Sequence, residues 1–373
     1  EVFATTFYDK MLDGSEFGSA VQLARKACYQ SDPGSNTWGA YQCYGDAFYR
    51  LEFNNPSTSD KLEYIYNADA VIELRNMLSS VNGKKVSRNE YTTKLNKLTE
   101  RINTHNAGSP EVTELTAHVH AALGNYAEAV ALMHELLYHE KADFKVSTLE
   151  QYCSLRGKLF MEIHNNKKQP LPPDALTKLV DDIGLIQKIG PTAERYALLG
   201  SAAKRLIILE KSKKQSHAKK MKFSFEKSYE QMKNQPLEQS MYPLSNLLIA
   251  EWIIQSPKGL PVIPEVYTAT VGKINWKKLV EKTDHLKDYY DYNAIVKFLV
   301  IVKMYDLQIL DKKLVIDEEI EKYLLKGIRN FANLKQIKGE IEHFQFLADI
   351  TKAKPVLQDF FKKMVDLIEA ELE

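Results

Sequence analysis

The sequence predicts a mostly α-helical chain, in which an array of helical hairpins follows a short segment of an α/β domain. Apolar residues recur every three or four positions over most of the 373 residues, which is the spacing of amphipathic helices. One aromatic and charge-free run, 37–44, has the length and composition of a buried strand. Stacked hairpins explain the remainder, because a single pair of helices is too thin to bury its own apolar face.

Composition excludes several classes of protein. Fifty Lys and Arg balance forty-nine Asp and Glu, so the net charge gives no reason to expect a partner that is nucleic acid or a membrane surface. No stretch approaches the roughly 18 uncharged apolar residues of a membrane span. The three cysteines, Cys28, Cys43 and Cys153, lack the spacing of a zinc site or a disulfide framework, which predicts a reducing, cytoplasmic compartment. The first residues also lack the pattern of a secretion signal.

Two helices are predicted at the start of the chain. Residues 2–12 carry one apolar stripe, and Asp13-Gly14 ends that helix. Ser15 is the expected N-cap of the second helix, which the turn residues of 31–36 bring to an end.

The predicted strand, 37–44, has no partner strand elsewhere in the sequence. A single strand leaves its backbone donors and acceptors unpaired, so a sheet must be supplied from elsewhere. Three explanations are open: residues upstream of Glu1, another polypeptide, or a buried helical segment with strand-like composition. The first is the one we favour.

A polar, turn-rich stretch at 52–62 marks the predicted domain boundary, and everything beyond it is expected to be helical. The clearest hairpin is 112–140, with Gly124-Asn125 at its turn. A second pair is predicted from Ala193 to about Gln231, with an exposed lysine-rich loop at 211–217 between its helices. Further apolar helices are predicted at 244–254, 286–306, 316–330, 335–350 and 356–372.

The hairpin 112–140 resembles a tetratricopeptide repeat. Its residues match the small, aromatic and bulky positions of that repeat at six places: Ala117, Gly124, Tyr126, Ala129, Met133 and Leu136. The pair 193–231 matches less well because of its lysine-rich insertion, so the array is described as tetratricopeptide-like. Stacked repeats of this kind present a long groove to a protein partner.

Residues 1–51 resemble the closing segment of a CHAT domain. The resemblance is carried by 3–12, by 14–25 and by the run Trp38-Gly39-Ala40-Tyr41 to Gly45-Asp46. CHAT domains are caspase-like cysteine peptidases that are often fused to tetratricopeptide repeats, and in them this segment supplies two helices and a final strand of the sheet. The resemblance therefore implies a division into 1–51, the C-terminal part of a caspase-like α/β domain, and 52–373, a tetratricopeptide-like domain.

The chain departs from that family where catalysis is concerned. The catalytic His and Cys of the family lie upstream of this segment, and no His precedes His105. A Cys nucleophile needs a nearby His to hold it as thiolate, so no catalytic residue is assigned here. The three cysteines are interpreted as buried structural residues. His118 and His120 diverge on a helix, and His134 and His139 are little better placed, so no metal site or cofactor is predicted.

The favoured function is that of the C-terminal part of a CHAT-type cysteine endopeptidase. In that function the chain completes the protease fold and recruits a protein substrate or regulator, in bacterial defence or regulated cell death. Its partners would be the upstream catalytic segment and that protein. The alternative is a non-enzymatic scaffold for protein–protein interaction. Nucleic-acid binding through the lysines of 204–227 is a third, weaker hypothesis, because the aromatic residues there follow helical spacing.

Overall fold

The computed structural model describes residues 2–51, 67–83, 87–137, 145–166, 174–268, 286, 288–307 and 315–372. The helices within these ranges are α1 (Val2–Leu12), α2 (Phe17–Ser31), α3 (Thr37–Ala40), α4 (Asn67–Gly83), α5 (Arg88–Thr104), α6 (Pro110–Leu123), α7 (Tyr126–Leu137), α8 (Val146–Asn166), α9 (Ala175–Ile189), α10 (Ala193–Leu209), α11 (Lys214–Met232), α12 (Leu237–Gln255), α13 (Tyr289–Met304), α14 (Ile316–Phe331), α15 (Leu334–Ile350) and α16 (Pro355–Glu369). The chain divides into two compact units, Glu1–Glu63 and Tyr64–Glu373. The predicted boundary at 52–62 lies outside the described residues.

The N-terminal unit is a pair of helices with an irregular tail. Helix α1 has the predicted bounds, and Gly14 adopts a left-handed φ of 78° in the turn that follows. Glu16, rather than the predicted Ser15, is the N-cap of α2. The tail returns to this point, where Tyr49 accepts a 2.7 Å hydrogen bond from the backbone of Phe17.

The prediction of a strand at 37–44 is wrong. Thr37–Ala40 forms one helical turn, and the residues after it are irregular and largely exposed. Within the described ranges there is no β-strand, only one isolated antiparallel bridge between Glu16 and Arg50. The aromatic side chains pack locally instead, since Tyr41 stacks on Phe3 with 4.3 Å between ring centroids. Without a partner strand, the backbone gains more from a helical turn than from an unpaired extended run.

Short polar side chains begin several helices of the second unit. The N-cap side chain accepts a hydrogen bond from the first helical turn at Ser87, Ser109, Thr192, Asp288 and Asn333. The hairpin predicted at 112–140 is confirmed over its described part, as α6 and α7. Gly124 closes α6 with a φ of 75°, a conformation that glycine adopts without steric cost.

Two features near α11 and α12 differ from the prediction. The lysine-rich stretch 211–217, predicted as an exposed loop, is a short 3₁₀ turn followed by the start of α11. His217 is buried there and bonds Glu210 Oε2 at 2.7 Å. Helix α12 begins at Leu237, seven residues before the predicted start, and contains Pro243.

Consecutive helices of the second unit share their cores, as expected for stacked hairpins. One cluster of buried apolar residues joins α4, α5 and α6, a second joins α6 to α10, and the largest runs from α10 to α16. Helix α15 also contacts early helices, because Asn333 donates to the carbonyl of Asn82 at 2.9 Å and Lys338 donates to that of Gly124 at 3.4 Å. None of the described helices is long and apolar enough to span a bilayer.

Candidate functional site

The contacts between α15 and the early helices border a polar cavity of about 690 Å³. Its walls come from α8, α10, α12, α13 and α15, with Asn82 at the end of α4. Pockets that hold small ligands measure about 300–1,000 Å³, so this one is large enough for an organic molecule. Its charged lining residues are Lys158, Glu194, Lys204, Arg205, Lys297, Lys335, Glu340 and Glu342.

Helix α10 contributes to two sites at once. Ser201, Lys204 and Arg205 line the polar cavity, whereas Leu199 and Leu206 line a groove on the other side. This division follows from the helical period of 3.6 residues, which places the two sets on opposite faces. Helix α10 is therefore a shared wall.

Arg205 and Glu342 form the principal ion pair of the cavity. Arg205 Nε and Nη2 donate to the two carboxylate oxygens of Glu342 at 2.7 and 3.2 Å. Burial acts to raise the pKa of Glu342, but the charge and hydrogen bonds of Arg205 outweigh it, so the pKa lies below its ordinary value. Each carboxylate oxygen of Glu342 therefore already accepts a hydrogen bond from Arg205.

Glu340 is the centre of a second, less complete network. Its Oε1 accepts hydrogen bonds from Tyr289 Oη at 2.7 Å and from Asn293 Nδ2 at 2.6 Å, and Lys297 Nζ lies 3.6 Å away. Burial and the charge of Glu340 raise the pKa of Tyr289 well above its ordinary value, so this hydroxyl keeps its proton. Glu340 Oε2, by contrast, is buried and has no hydrogen-bond partner among the described residues.

Three lysines of the cavity, Lys158, Lys204 and Lys335, have no carboxylate within 4.0 Å in the described part of the chain, and burial lowers the pKa of the first two. Lys204 Nζ lies 2.8 Å from His343 Nδ1 and 4.8 Å from the centroid of the Phe346 ring. Burial, together with the charge of Lys297, lowers the pKa of Lys204 to about 7. Burial likewise lowers the pKa of Lys158 to about 8, and its ammonium group lies 5.4 Å from the centroid of the Tyr126 ring. When they are protonated, Lys158 and Lys204 each carry a charge that is poorly compensated.

The groove on the other side of α10 is apolar and measures about 740 Å³. Its lining includes Leu185 of α9 and Phe223 of α11, whose side chains are 59% and 53% exposed. Lysines border it at Lys188, Lys219 and Lys220, against the single acid Asp181. The arrangement is an apolar strip with a basic rim.

The residues discussed from the sequence are dispersed in the structure. Of the predicted lysine stretch, Lys213 pairs with Glu210 at 3.2 Å and Lys222 with Glu251 at 2.5 Å. Cys153 is buried, as interpreted from the sequence, and burial raises the pKa of its thiol to about 12.

Cys28 and Cys43 are half-buried rather than fully buried. No group of three or more His, Cys, Asp or Glu residues placed to hold a metal ion occurs within the described ranges.

Sequence reasoning missed most of the polar cavity. Lys158, Arg205, Glu340, Glu342 and His343 were not predicted, since they come from three helices, α8, α10 and α15, that are far apart in the sequence. One signal was available at Lys297, which is the only charge in the apolar run 294–302 of α13 and is buried. A lone charge within an apolar helix indicates a polar partner in the interior.

The fold and these two sites define a tetratricopeptide-like helical array. The comparison with family models agrees: residues 125–251, from the start of α7 into α12, match the family described as TPR-S: Tetratricopeptide Repeats-Sensor. No curated protein and no solved structure matches the chain. Arrays of this class are typical of protein–protein interaction scaffolds. The resemblance of residues 1–51 to a CHAT domain has no counterpart in these comparisons.

Proposed function

We propose that the helical array recruits a protein partner and that the apolar groove between α9 and α11 is its docking surface. The observation that carries this proposal is the exposure of Leu185 and Phe223 beside a basic rim. Large apolar side chains that are more than half exposed and adjacent to each other are typical of interaction sites. The family match spans both helices of the groove and is described as a sensor, which agrees with a module that responds to binding.

The chemistry of the groove selects the partner. An amphipathic helix would place its apolar side chains on the strip, as in other helix-in-groove complexes. Because Lys188, Lys219 and Lys220 outnumber Asp181 at the rim, the polar face of that helix should be acidic. The partner is therefore a protein segment with apolar residues at helical spacing and flanking Asp and Glu.

A displayed library of 16-residue peptides tests this assignment. The peptides carry leucine at positions i, i+3, i+4 and i+7 and random residues elsewhere. Selection on the full chain should enrich peptides rich in Asp and Glu. Leu185→Asp and Phe223→Asp should each weaken their binding at least tenfold, because each places a charge in the strip and repels acidic peptides.

The matched control is Ile72→Asp on α4, where the side chain is 55% exposed and lies outside the groove. It should leave peptide binding unchanged. Selection without enrichment of acidic peptides would contradict the proposal, as would equal weakening by Ile72→Asp.

A second candidate function concerns residues 1–51, which we propose complete a CHAT-type cysteine peptidase domain supplied by an upstream segment. Two observations support it. Helices α1 and α2 stand in the order that the resemblance implies. The tail also exposes aromatic side chains, with Tyr44 at 85% and Phe48 at 77%, which suits a segment that packs against further polypeptide. In that function, recruitment by the array would deliver a substrate or regulator to the peptidase.

Co-expression with the polypeptide encoded upstream of Glu1 tests this second function. That reading frame should contain a His and a Cys at the ends of predicted strands. The chain alone should bind the dye ANS, less so after Tyr44→Ser with Phe48→Ser, and should lose the signal in complex. An upstream frame without those residues, or a chain that binds no ANS, would leave the scaffold function alone.

A further inference from the structure

We propose that the polar cavity between α8, α10, α12, α13 and α15 binds a small phosphorylated, hydroxyl-bearing molecule, whose phosphate is neutralised by Lys158 and Lys204. This site is independent of the docking groove, because the two lie on opposite faces of α10. Three features of the cavity support the assignment: its charge, its unpaired polar atoms and its size.

The charge of the lining favours an anion. Five cationic side chains, Lys158, Lys204, Arg205, Lys297 and Lys335, face three acidic ones, Glu194, Glu340 and Glu342. Arg205 is paired with Glu342 and Lys297 lies near Glu340, which leaves Lys158, Lys204 and Lys335 without a carboxylate within 4.0 Å among the described residues. Lys335 is exposed, whereas Lys158 and Lys204 are half-buried. Uncompensated charges in a half-buried site are unfavourable unless a ligand supplies the counter-charge. Lysines bind phosphate as point charges.

The unpaired polar atoms indicate what else the ligand carries. Three buried side-chain atoms of the lining lack a hydrogen-bond partner within the described ranges: Asn293 Oδ1, Glu340 Oε2 and His343 Nε2. Glu340 and His343 are each 5% exposed. With Lys204 donating to Nδ1, the other ring nitrogen of His343 carries a hydrogen and can donate to a phosphate oxygen. The two oxygens are acceptors that suit ligand hydroxyl groups.

The cavity is too large to be filled by inorganic phosphate alone. A volume of about 690 Å³ leaves room for an organic body beside the phosphate. Tyr242 and Tyr290 line the same space, and aromatic rings of this kind pack well against an apolar or cyclic group. A sugar phosphate or a nucleotide has the required combination of phosphate, hydroxyl groups and an apolar or cyclic part.

Isothermal titration of the full chain with pyrophosphate tests the charge assignment. Pyrophosphate should bind the native chain, whereas citrate, which has similar charge but carries no phosphate, should bind at least tenfold more weakly. Lys158→Met and Lys204→Met should each weaken pyrophosphate binding at least tenfold. Lys97→Met, at an exposed position on α5, is the control and should change nothing.

The number of protons taken up on binding is a second measurement, and an unfolded variant would not reproduce the expected result. Near pH 8 most of the Lys204 population is neutral, because its pKa is about 7. Binding an anion should therefore draw in protons, and the heat should differ between buffers of different ionisation enthalpy. That difference should shrink in Lys204→Met, whose folding is checked by circular dichroism. The proposal would be overturned if pyrophosphate did not bind at millimolar concentration or if citrate bound with equal affinity. It would also be overturned if Lys97→Met weakened pyrophosphate binding as much as the two cavity variants do. Leu185→Asp, in the groove, should leave pyrophosphate binding intact even if peptide binding fails.

Discussion

Replacing Lys204 by methionine should make the helical array more stable and less sensitive to pH. In the native chain, burial and the neighbouring charge of Lys297 lower the pKa of Lys204 from an ordinary 10.5 to about 7. At about 1.4 kcal/mol for each tenfold change in the protonation equilibrium, this lowering corresponds to a cost of about 5 kcal/mol at low pH. Methionine has a similar length and no charge, so the variant avoids that cost.

The sign of the pH dependence follows from proton binding. Between pH 7 and 10.5 the unfolded chain holds a proton on Lys204 that the folded chain has largely released. Unfolding free energy therefore rises with pH across this window, by about 2 kcal/mol from pH 7 to pH 9 through this residue. The groups around the ammonium are Arg205, Lys297, Glu340, Glu342 and His343. They remain in the variant, and so do other lysines with lowered pKa values, so the difference between the two proteins isolates Lys204.

Urea unfolding followed by circular dichroism at pH 7, 8 and 9 measures the effect. The variant should be the more stable protein at pH 7, by an amount reduced by about 1 kcal/mol because His343 Nδ1 loses its hydrogen-bond donor. Its stability should also rise less steeply with pH. Lys97→Met should behave as the native chain. Equal slopes in all three proteins, or a variant that is less stable at pH 7, would refute the reasoning.

Three further predictions concern packing, capping and thiol chemistry. Gly200→Ala should lower the free energy of unfolding by about 1–3 kcal/mol, because the new Cβ would lie 2.7 Å from the buried ring of Phe225. Gly184→Ala has open space around the new Cβ and should raise the free energy of unfolding by about 0.5–1 kcal/mol. Thermal unfolding compares the two variants. Ser109→Ala should cost about 1 kcal/mol in the same assay, through loss of the helix cap, and an unchanged midpoint would contradict this. Cys153 should resist a thiol reagent at pH 8 until urea unfolds the chain, since its thiol is buried and has a pKa of about 12; rapid labelling of the folded chain would show that the site opens.

The helices were predictable from the sequence because their period is local. Helix α1 has the predicted bounds, and α14, α15 and α16 begin within one residue of the predicted positions. The predicted strand at 37–44 was wrong because aromatic content alone does not distinguish a strand from a short apolar turn. Whether such a run forms a strand depends on the availability of a partner strand, which its composition does not reveal.

The polar cavity was not predictable, because it is assembled from distant parts of the chain. Lys204 and His343 are 139 positions apart, and Arg205 and Glu342 are 137 apart. Nothing in the local sequence around these residues distinguishes them from charges on a solvated helix face. The lysines between Lys213 and Lys222 illustrate the converse. They belong to the most conspicuous charge run in the sequence, yet Lys213 pairs with Glu210, Lys222 pairs with Glu251, and Lys219 and Lys220 border the apolar groove.

The interior of the array should contain a ligand cavity rather than only a structural core. A crystal of the full chain soaked with pyrophosphate tests it most directly. We expect density for the anion in the cavity, at hydrogen-bond distance from the ammonium group of Lys158 or Lys204. An empty cavity, with the anion absent or bound only by surface lysines such as Lys219, would contradict it.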